Sequence, residues 1–297
     1  MPKIKTKKPV SQEFIAWAIL LFLSVIWGLS FLFIKKIVVE FTPIEVGAAR
    51  VFLAGVFLLP WAYKGLKNIP KEKLTWVGLS GLLGNFIPAF VYAKVGSQLN
   101  SSLAGTLNST TPIFVMIIGA LFFAASIKRF QVIGILLGFA GSLLLVLSGN
   151  DGKLNFANPY ALLAMAGTMM YGFNVNIISK YLKNVKPLYL TSVAFLIVGL
   201  MAFCVLPFTD FFSKLIDPAN RKLVVYMFCL AGINTSLALV VFNYLLQKTT
   251  PVFASSVTYL IPIVAVIAGL FDGELVSLWH YAGMGITLIG VYLINRK

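Results

Sequence analysis

Two short polar stripes set in apolar sequence carry most of the chemistry this chain can offer. Ser101, Gly105, Asn108 and Pro112 recur, shifted by 150 positions, as Pro251, Ser255, Thr258 and Pro262. Each set follows the i, i+4, i+7, i+11 spacing that puts four residues on one narrow helical face. A proline inside a helix removes a backbone donor and pushes away the carbonyl four residues earlier, here those of Asn108 and Thr258. A freed carbonyl beside an amide or hydroxyl is a binding site for an ammonium or amide group. Hydrocarbon tolerates such a site only where protein or a water-filled cavity faces it. The stripes are therefore expected to face a shared cavity near mid-membrane, with helix breaks at Pro112 and Pro262. The alternative is two structural kinks packed through Ser, Gly and Ala; the duplication favours the cavity.

Further polar residues in apolar runs join the candidate substrate-binding set. Asn85 and Tyr92 share a face at i, i+7. Asn234 heads the polar run Asn234-Thr235-Ser236. Trp27 with Ser30, and Tyr171 with Asn174, are one turn apart. Amides and hydroxyls both donate and accept, so they read a polar small molecule without fixed charge; the competing role is an interhelical hydrogen bond of about 0.6 to 2 kcal/mol. Trp27 and Tyr171 are either packing residues or a pair of gates. Two charged residues lie inside apolar runs. Arg50 holds a substrate carboxylate or anchors polar neighbours, and an intramembrane ionisable residue is a functional hypothesis by default. Glu45 reads as an interface residue and is the one credible acid should transport be proton-coupled. No Asp or Glu falls at the centre of a predicted helix, and the sole histidine, His280, lies at a helix mouth, so a facilitator or weakly coupled exchanger is expected. The chain has no HExxH, no paired intramembrane Asp and one His. No catalytic residue, metal site or cofactor is expected.

The elements that hold these residues are membrane helices. Hydrophobic residues make up 59% of the 297 and charged residues 11%, with a mean hydropathy of +0.93, outside soluble globular composition. The net charge of +15 is spread between apolar runs and forms no basic domain, so no nucleic-acid partner is expected. Cys204 and Cys229 read as buried small hydrophobes. Runs long enough to span fall at 14–34, 44–63, 74–93, 101–124, 130–148, 159–179, 188–208, 222–246, 251–271 and 278–295, predicting ten helices, the first an uncleaved one behind the tail MPKIKTKKPV. With both termini cytoplasmic, sixteen Lys and Arg fall inside, among them Lys3, Lys5, Lys7 and Lys8, against seven outside, with Arg50 in a helix. That bias places the termini in the cytoplasm of a multi-pass cell (inner) membrane protein.

The halves repeat. Trp27-Gly28-Leu29-Ser30 aligns with Tyr171-Gly172-Phe173-Asn174, Pro43 with Pro187, Gly134 and Gly141 with Gly283 and Gly290, and Asn85 with Asn234. Five helices per half is odd, so the halves enter the membrane in opposite senses, as in many secondary transporters. The expected organisation is a tail at 1–13, a first five-helix repeat at 14–148, an outer linker at 149–158 and a second, inverted repeat at 159–297. The WG element with SFLFIKK, the TPIEVGAAR segment, the AGTLNSTTPIF and ASSVTYLIPIV helices and the closing G-x6-G helices together resemble the EamA-type transporters of the drug/metabolite transporter superfamily. That family carries a Gly-Glu pair after the proline helix; Gly273-Glu274 keeps it in the second half and Ala125-Ser126 replaces it in the first. The resemblance implies a pathway lined by helices three, four, eight and nine, with one and six beside it, and a peripheral helix for Arg50, which favours the anchor. The expected function is alternating-access transport, as an exporter, of a small neutral or zwitterionic metabolite, amino-acid-like or amphipathic. The partners are then that small molecule and the lipid bilayer. The alternatives are a channel and, less so, a membrane-embedded enzyme acting on lipid or peptide.

Overall fold

A computed structural model of the chain describes residues 12–99, 101–149, 159–271 and 277–296. The tail lysines Lys3, Lys5, Lys7 and Lys8, the linker residues Asp151 and Lys153, and the Gly273-Glu274 pair with Asp272 lie outside the described residues. The helices are α1 (Gln12–Ile37), α2 (Pro43–Asn68), α3 (Lys71–Gln98), α4 (Ser101–Asn108), α5 (Thr111–Phe123), α6 (Arg129–Gly149) and α7 (Pro159–Leu182). They continue with α8 (Pro187–Phe208), α9 (Phe211–Ile216), α10 (Pro218–Lys248), α11 (Pro251–Ser255), α12 (Val257–Phe271) and α13 (Leu278–Asn295). No strand occurs among the described residues. Seven helices, α1, α2, α3, α6, α7, α8 and α10, are long and apolar enough to cross a membrane. Their outer faces carry large apolar side chains in the open, such as Leu162 (69% exposed) and Leu200 (61%), which suits a surface meeting acyl chains and not water.

Helix starts follow local chemistry. Thr42 caps α2 reciprocally with Glu45: the Glu45 N–H donates to Thr42 Oγ1 (3.3 Å) and the Thr42 N–H to Glu45 Oε2 (2.7 Å). Pro43 and Pro187 sit in first turns, where the missing N–H has no intrahelical use. The two polar stripes differ from expectation here. The first is not one kinked helix: α4 stops at Asn108, and Pro112 lies in the first turn of α5. In the second, the break falls at Ser256, and Pro262 sits inside α12. Ser and Thr hydroxyls take the local carbonyls at both breaks and so compete with the helical ladder. Ser109 and Thr110 reach Gly105 O (3.0 Å) and Leu107 O (2.7 Å), while Ser255 and Ser256 reach Val252 O (3.0 Å) and Phe253 O (2.7 Å).

Between helices in lipid there is little hydrophobic gain, so association relies on close packing of small residues. The α6–α13 pair shows this. A Cβ on Gly134 would stand 2.6 Å from Gly290 O, one on Gly141 would stand 2.5 Å from Thr287 N, and one on Gly290 would collide with Gly138 N. The G-x6-G pairs are thus the contact strip of these two helices. In the α2–α8 pair, a Cβ on Gly55 would lie 2.9 Å from Phe195 O. Both pairs join one half of the chain to the other. Two expectations need correcting. Cys204 is exposed and Cys229 only partly buried, both as free thiols, because each sits on the outward side of its helix. The short α9, absent from the sequence reading, is six residues long, too short to show in a hydropathy window.

Candidate functional site

Where the two helix breaks meet, a cavity of about 120 Å³ opens between the halves. It has room for several waters or a small solute. Its walls come from α1, α2, α3, α4, α5, α7, α10, α11 and α12.

Asn85 reaches the wall through a turn of π-helix at Leu82–Phe86, and α10 carries the matching turn at Gly232–Leu237. An inserted residue of this kind re-aims side chains and recurs at functional sites. Further along α3, Tyr92 donates to Asn108 Oδ1 (3.0 Å) and stacks on Tyr171, with ring centroids 5.7 Å apart and planes at 15°. Asn174 of α7 accepts from Ser80 Oγ (2.6 Å) and packs against Gly84, which has no room for a side chain. Asn108 and Thr111 line the first break, Ser255 and Thr258 the second. A Cβ on Gly105 would meet nothing within 4 Å, so the stripe beside Asn108 faces open space. Pro112 and Pro262 are buried but stand behind the wall.

The carbonyls expected to be free are taken. Thr111 Oγ1 donates to Asn108 O (2.6 Å), and Ser109 Oγ donates to Thr258 O (3.2 Å) from the opposite half. Ser142 Oγ of α6 in turn donates to Ser109 Oγ (2.7 Å). The protein's own hydroxyls thus occupy the positions proposed for a substrate's ammonium group, because Ser109 and Thr111 follow Asn108 at the first break. That feature was legible in the run Asn108-Ser109-Thr110-Thr111.

On α1, Ser30 lines the cavity and donates to Trp27 O (2.7 Å). Trp27 also lines it, with Nε1 donating to Asn234 O (3.0 Å) and its ring 5.4 Å from that of Phe242. Trp27 and Tyr171 thus each pack against a different ring. Asn234 is the exception among the candidate residues. Its Nδ2 donates to Ile26 O, so its side chain clamps α10 to α1 and leaves the wall to Thr235.

Arg50 is also on the wall, not at the periphery. Its Nε donates to Thr235 Oγ1 (2.7 Å), which donates to Leu230 O (2.8 Å). Among the described lining residues Arg50 is the only formal charge, and no Asp, Glu, Lys or His joins it. Glu45 lies away from the cavity, 1% exposed, where besides capping α2 it pairs with Lys214 Nζ at 3.0 Å. His280 caps α13, its Nδ1 accepting from the Ser277 N–H (3.1 Å). Leu20, Leu23, Ile178, Leu246, Phe253 and Val257 belong to one buried apolar cluster, which meets the cavity at Val257. No group of three or more His, Cys, Asp and Glu clusters as metal ligands among the described residues.

Comparison with known proteins adds to this geometry. The model of the EamA-like transporter family matches residues 15–147 and 158–296. The chain is 28% identical over 288 residues to an uncharacterized transporter of Archaeoglobus fulgidus, covering 95% of this chain and 99% of that one. It is 25% identical to the uncharacterized inner membrane transporter YedA of Escherichia coli K12 (92% and 88% covered). It is also 23% identical to a probable amino-acid metabolite efflux pump of Salmonella typhimurium (92% of each). A crystal structure at 15% identity superposes with a TM-score of 0.71 over 95% of this chain and 96% of that one, a likeness of fold.

Proposed function

The chain belongs to the EamA-like transporter family, and from that premise we propose that it is a secondary-type carrier. It moves a small neutral or zwitterionic, amino-acid-like metabolite by alternating access to the cavity between its halves. In this reading α4 with α5, and α11 with α12, each form one broken crossing, giving ten crossings in two inverted sets of five. The excess of Lys and Arg on the side of the termini supports a cytoplasmic tail. The efflux named for the Salmonella relative supports export. The relatives are named as transporters, which supports a carrier over an enzyme.

The observation that carries the proposal is the meeting of the two breaks at one polar cavity. Ser109 sits within hydrogen-bonding distance of both Gly105 O (3.0 Å) and Thr258 O (3.2 Å), yet has one hydroxyl hydrogen. It can release the opposite half and keep a partner within its own helix. Separation of the halves at that point then keeps the donor paired and frees only the Thr258 carbonyl, on the cavity wall where water can meet it. Interrupted backbone around a midplane site, with rocking of one repeat against the other, is a recurring carrier mechanism. The substrate contacts in this reading are Asn85, Tyr92, Asn108, Tyr171, Asn174, Ser255 and Thr258, with Trp27 and Ser30 on the α1 side.

Counterflow of labelled amino acids in proteoliposomes tests it. A reorienting site predicts that unlabelled substrate inside the vesicle accelerates entry of label. A rate that depends only on the concentration gradient identifies a channel and overturns the proposal.

A further inference from the structure

The carrier proposal leaves one cation in the cavity unanswered. Arg50 is partly buried and lines the wall, and it spends only Nε on the protein, on Thr235 Oγ1 at 2.7 Å. A guanidinium offers five N–H donors in a planar fork. An arginine serving solely to anchor helices would be expected to spend the fork on carbonyls. The two terminal nitrogens of Arg50 have no hydrogen-bond or ion-pair partner among the described residues, and the one ion pair among those residues, Lys214 with Glu45, lies elsewhere.

The neighbouring amides have the same bias. Asn108 and Asn174 each commit their side-chain oxygen to a protein hydroxyl, Tyr92 OH at 3.0 Å and Ser80 Oγ at 2.6 Å. Their Nδ2 donors have no protein partner among the described residues. The single buried side-chain polar atom without a partner among those residues is Thr287 Oγ1, which packs at Gly141 and is not on this wall. The unspent donors of Arg50, Asn108 and Asn174 are therefore not sealed in protein but reach the cavity. The wall is donor-rich, and its one formal charge is positive.

We propose that Arg50 is the residue that recognises the substrate, by binding an organic carboxylate, so that the ligand class is a small carboxylic acid, zwitterionic or monoanionic. Resting on the carrier reading, this revises its ligand class: neutral and purely cationic compounds are excluded and monoanionic acids are admitted. A carboxylate meets a guanidinium through two parallel N–H···O bonds, and its remaining lone pairs suit the amide donors of Asn108 and Asn174. It also supplies the negative charge that a cation in a low-dielectric setting needs. Asn85 and the Tyr171 hydroxyl, on the same wall and without hydrogen-bond partners among the described residues, are left for the rest of the ligand.

Thermal stability and binding of the purified protein, measured with matched ligands, test the proposal. L-alanine, L-threonine and L-phenylalanine are compared with their carboxamides and with ethylamine and phenethylamine. The expected result is that at least one acid stabilises the protein while its amide and amine do not. Arg50→Gln should weaken that acid by about tenfold or more, the loss expected for a charged hydrogen-bonded contact, and leave ligand-free melting close to that of the parent. Arg50→Lys, which keeps charge but loses the fork, should retain part of the affinity. Amides binding as well as acids, acids binding Arg50→Gln within about twofold of the parent, or no acid binding the parent at all would each overturn it. If Arg50→Gln fails to fold, the acid-to-amide ratio in the parent and in Arg50→Lys still decides. The same ligands in counterflow separate the two proposals. Amides exchanging like acids sink this one and leave the carrier standing, whereas acids that bind through Arg50 without counterflow sink the carrier.

Discussion

Ser109 Oγ donates to the carbonyl oxygen of Thr258 across 3.2 Å, so that a hydroxyl from the break in one half of the chain closes the break in the other. Ser142 Oγ stands behind it at 2.7 Å. The three residues come from α4–α5, α12 and α6, which makes this chain of hydrogen bonds the polar seam between the halves.

Ser109→Ala should lower the stability of the detergent-purified protein by about 0.6 to 1.7 kcal/mol, the range measured for hydrogen bonds between membrane helices. Ser142→Ala should add little on top of it, because both remove the same chain. A double-mutant cycle read by thermal or denaturant unfolding checks this. Strict additivity would show that the two hydroxyls act independently.

Gly290 and Gly105 are predicted to behave oppositely. A side chain at Gly290 has to push α6 and α13 apart, since its Cβ would collide with Gly138 N and stand 2.7 Å from Gly134 O. Gly290→Val should therefore cost about 1 to 3 kcal/mol or prevent folding. Gly105→Ala meets nothing within 4 Å and should leave the melting temperature within experimental scatter. It fills part of the space beside Asn108, so transport should fall even though stability does not.

Asn85 and Asn234 align between the repeats yet do different things. Asn85→Ala should weaken substrate binding with little change in melting. Asn234→Ala should lower the melting temperature, by the loss of the bond to Ile26 O, with a smaller direct effect on affinity. Melting curves with and without ligand for both variants distinguish the roles; equal behaviour would contradict the assignment.

Glu45 is expected to hold structure and not to relay protons. It is 1% exposed, bonds the Thr42 N–H and pairs with Lys214, itself 21% exposed. Glu45→Gln keeps the cap and loses the charge. It should cost about 1 kcal/mol or more of coupling to Lys214 in a double-mutant cycle, above the range of exposed pairs. Any pH dependence of transport should be unchanged in that variant.

Much of this architecture is written in hydropathy, and its limits are equally physical. The run at 278–295 coincides with α13, and 188–208 falls one residue short of α8, because length and apolarity alone define such helices. Periodicity points Asn108 and Thr258 at a cavity, because a helix obeys it on either side of a break, and both line the wall. Periodicity failed at Asn234, whose amide turns to Ile26 O of α1, whereas its repeat mate Asn85, also in a π turn, reaches the cavity. Both breaks also fall away from the expected prolines, one at Ser109 and Thr110 and the other at Ser256. Pro112 in a first turn and Pro262 in an interior look alike in sequence, and the serine and threonine hydroxyls that decide between them act through geometry. Arg50 reads from sequence as an intramembrane charge, and the packing of α2 against α10 brings it to the cavity wall.

The central claim is that one cavity serves both faces of the membrane, and cysteine accessibility tests it most directly. Ser255→Cys in a chain carrying Cys204→Ala and Cys229→Ala places a single thiol on the cavity wall. In sealed vesicles of known orientation, a membrane-impermeant maleimide should label it from either face, with substrate slowing both reactions. Labelling only by lipid-soluble reagents, or from one face alone whatever the substrate condition, would contradict the account.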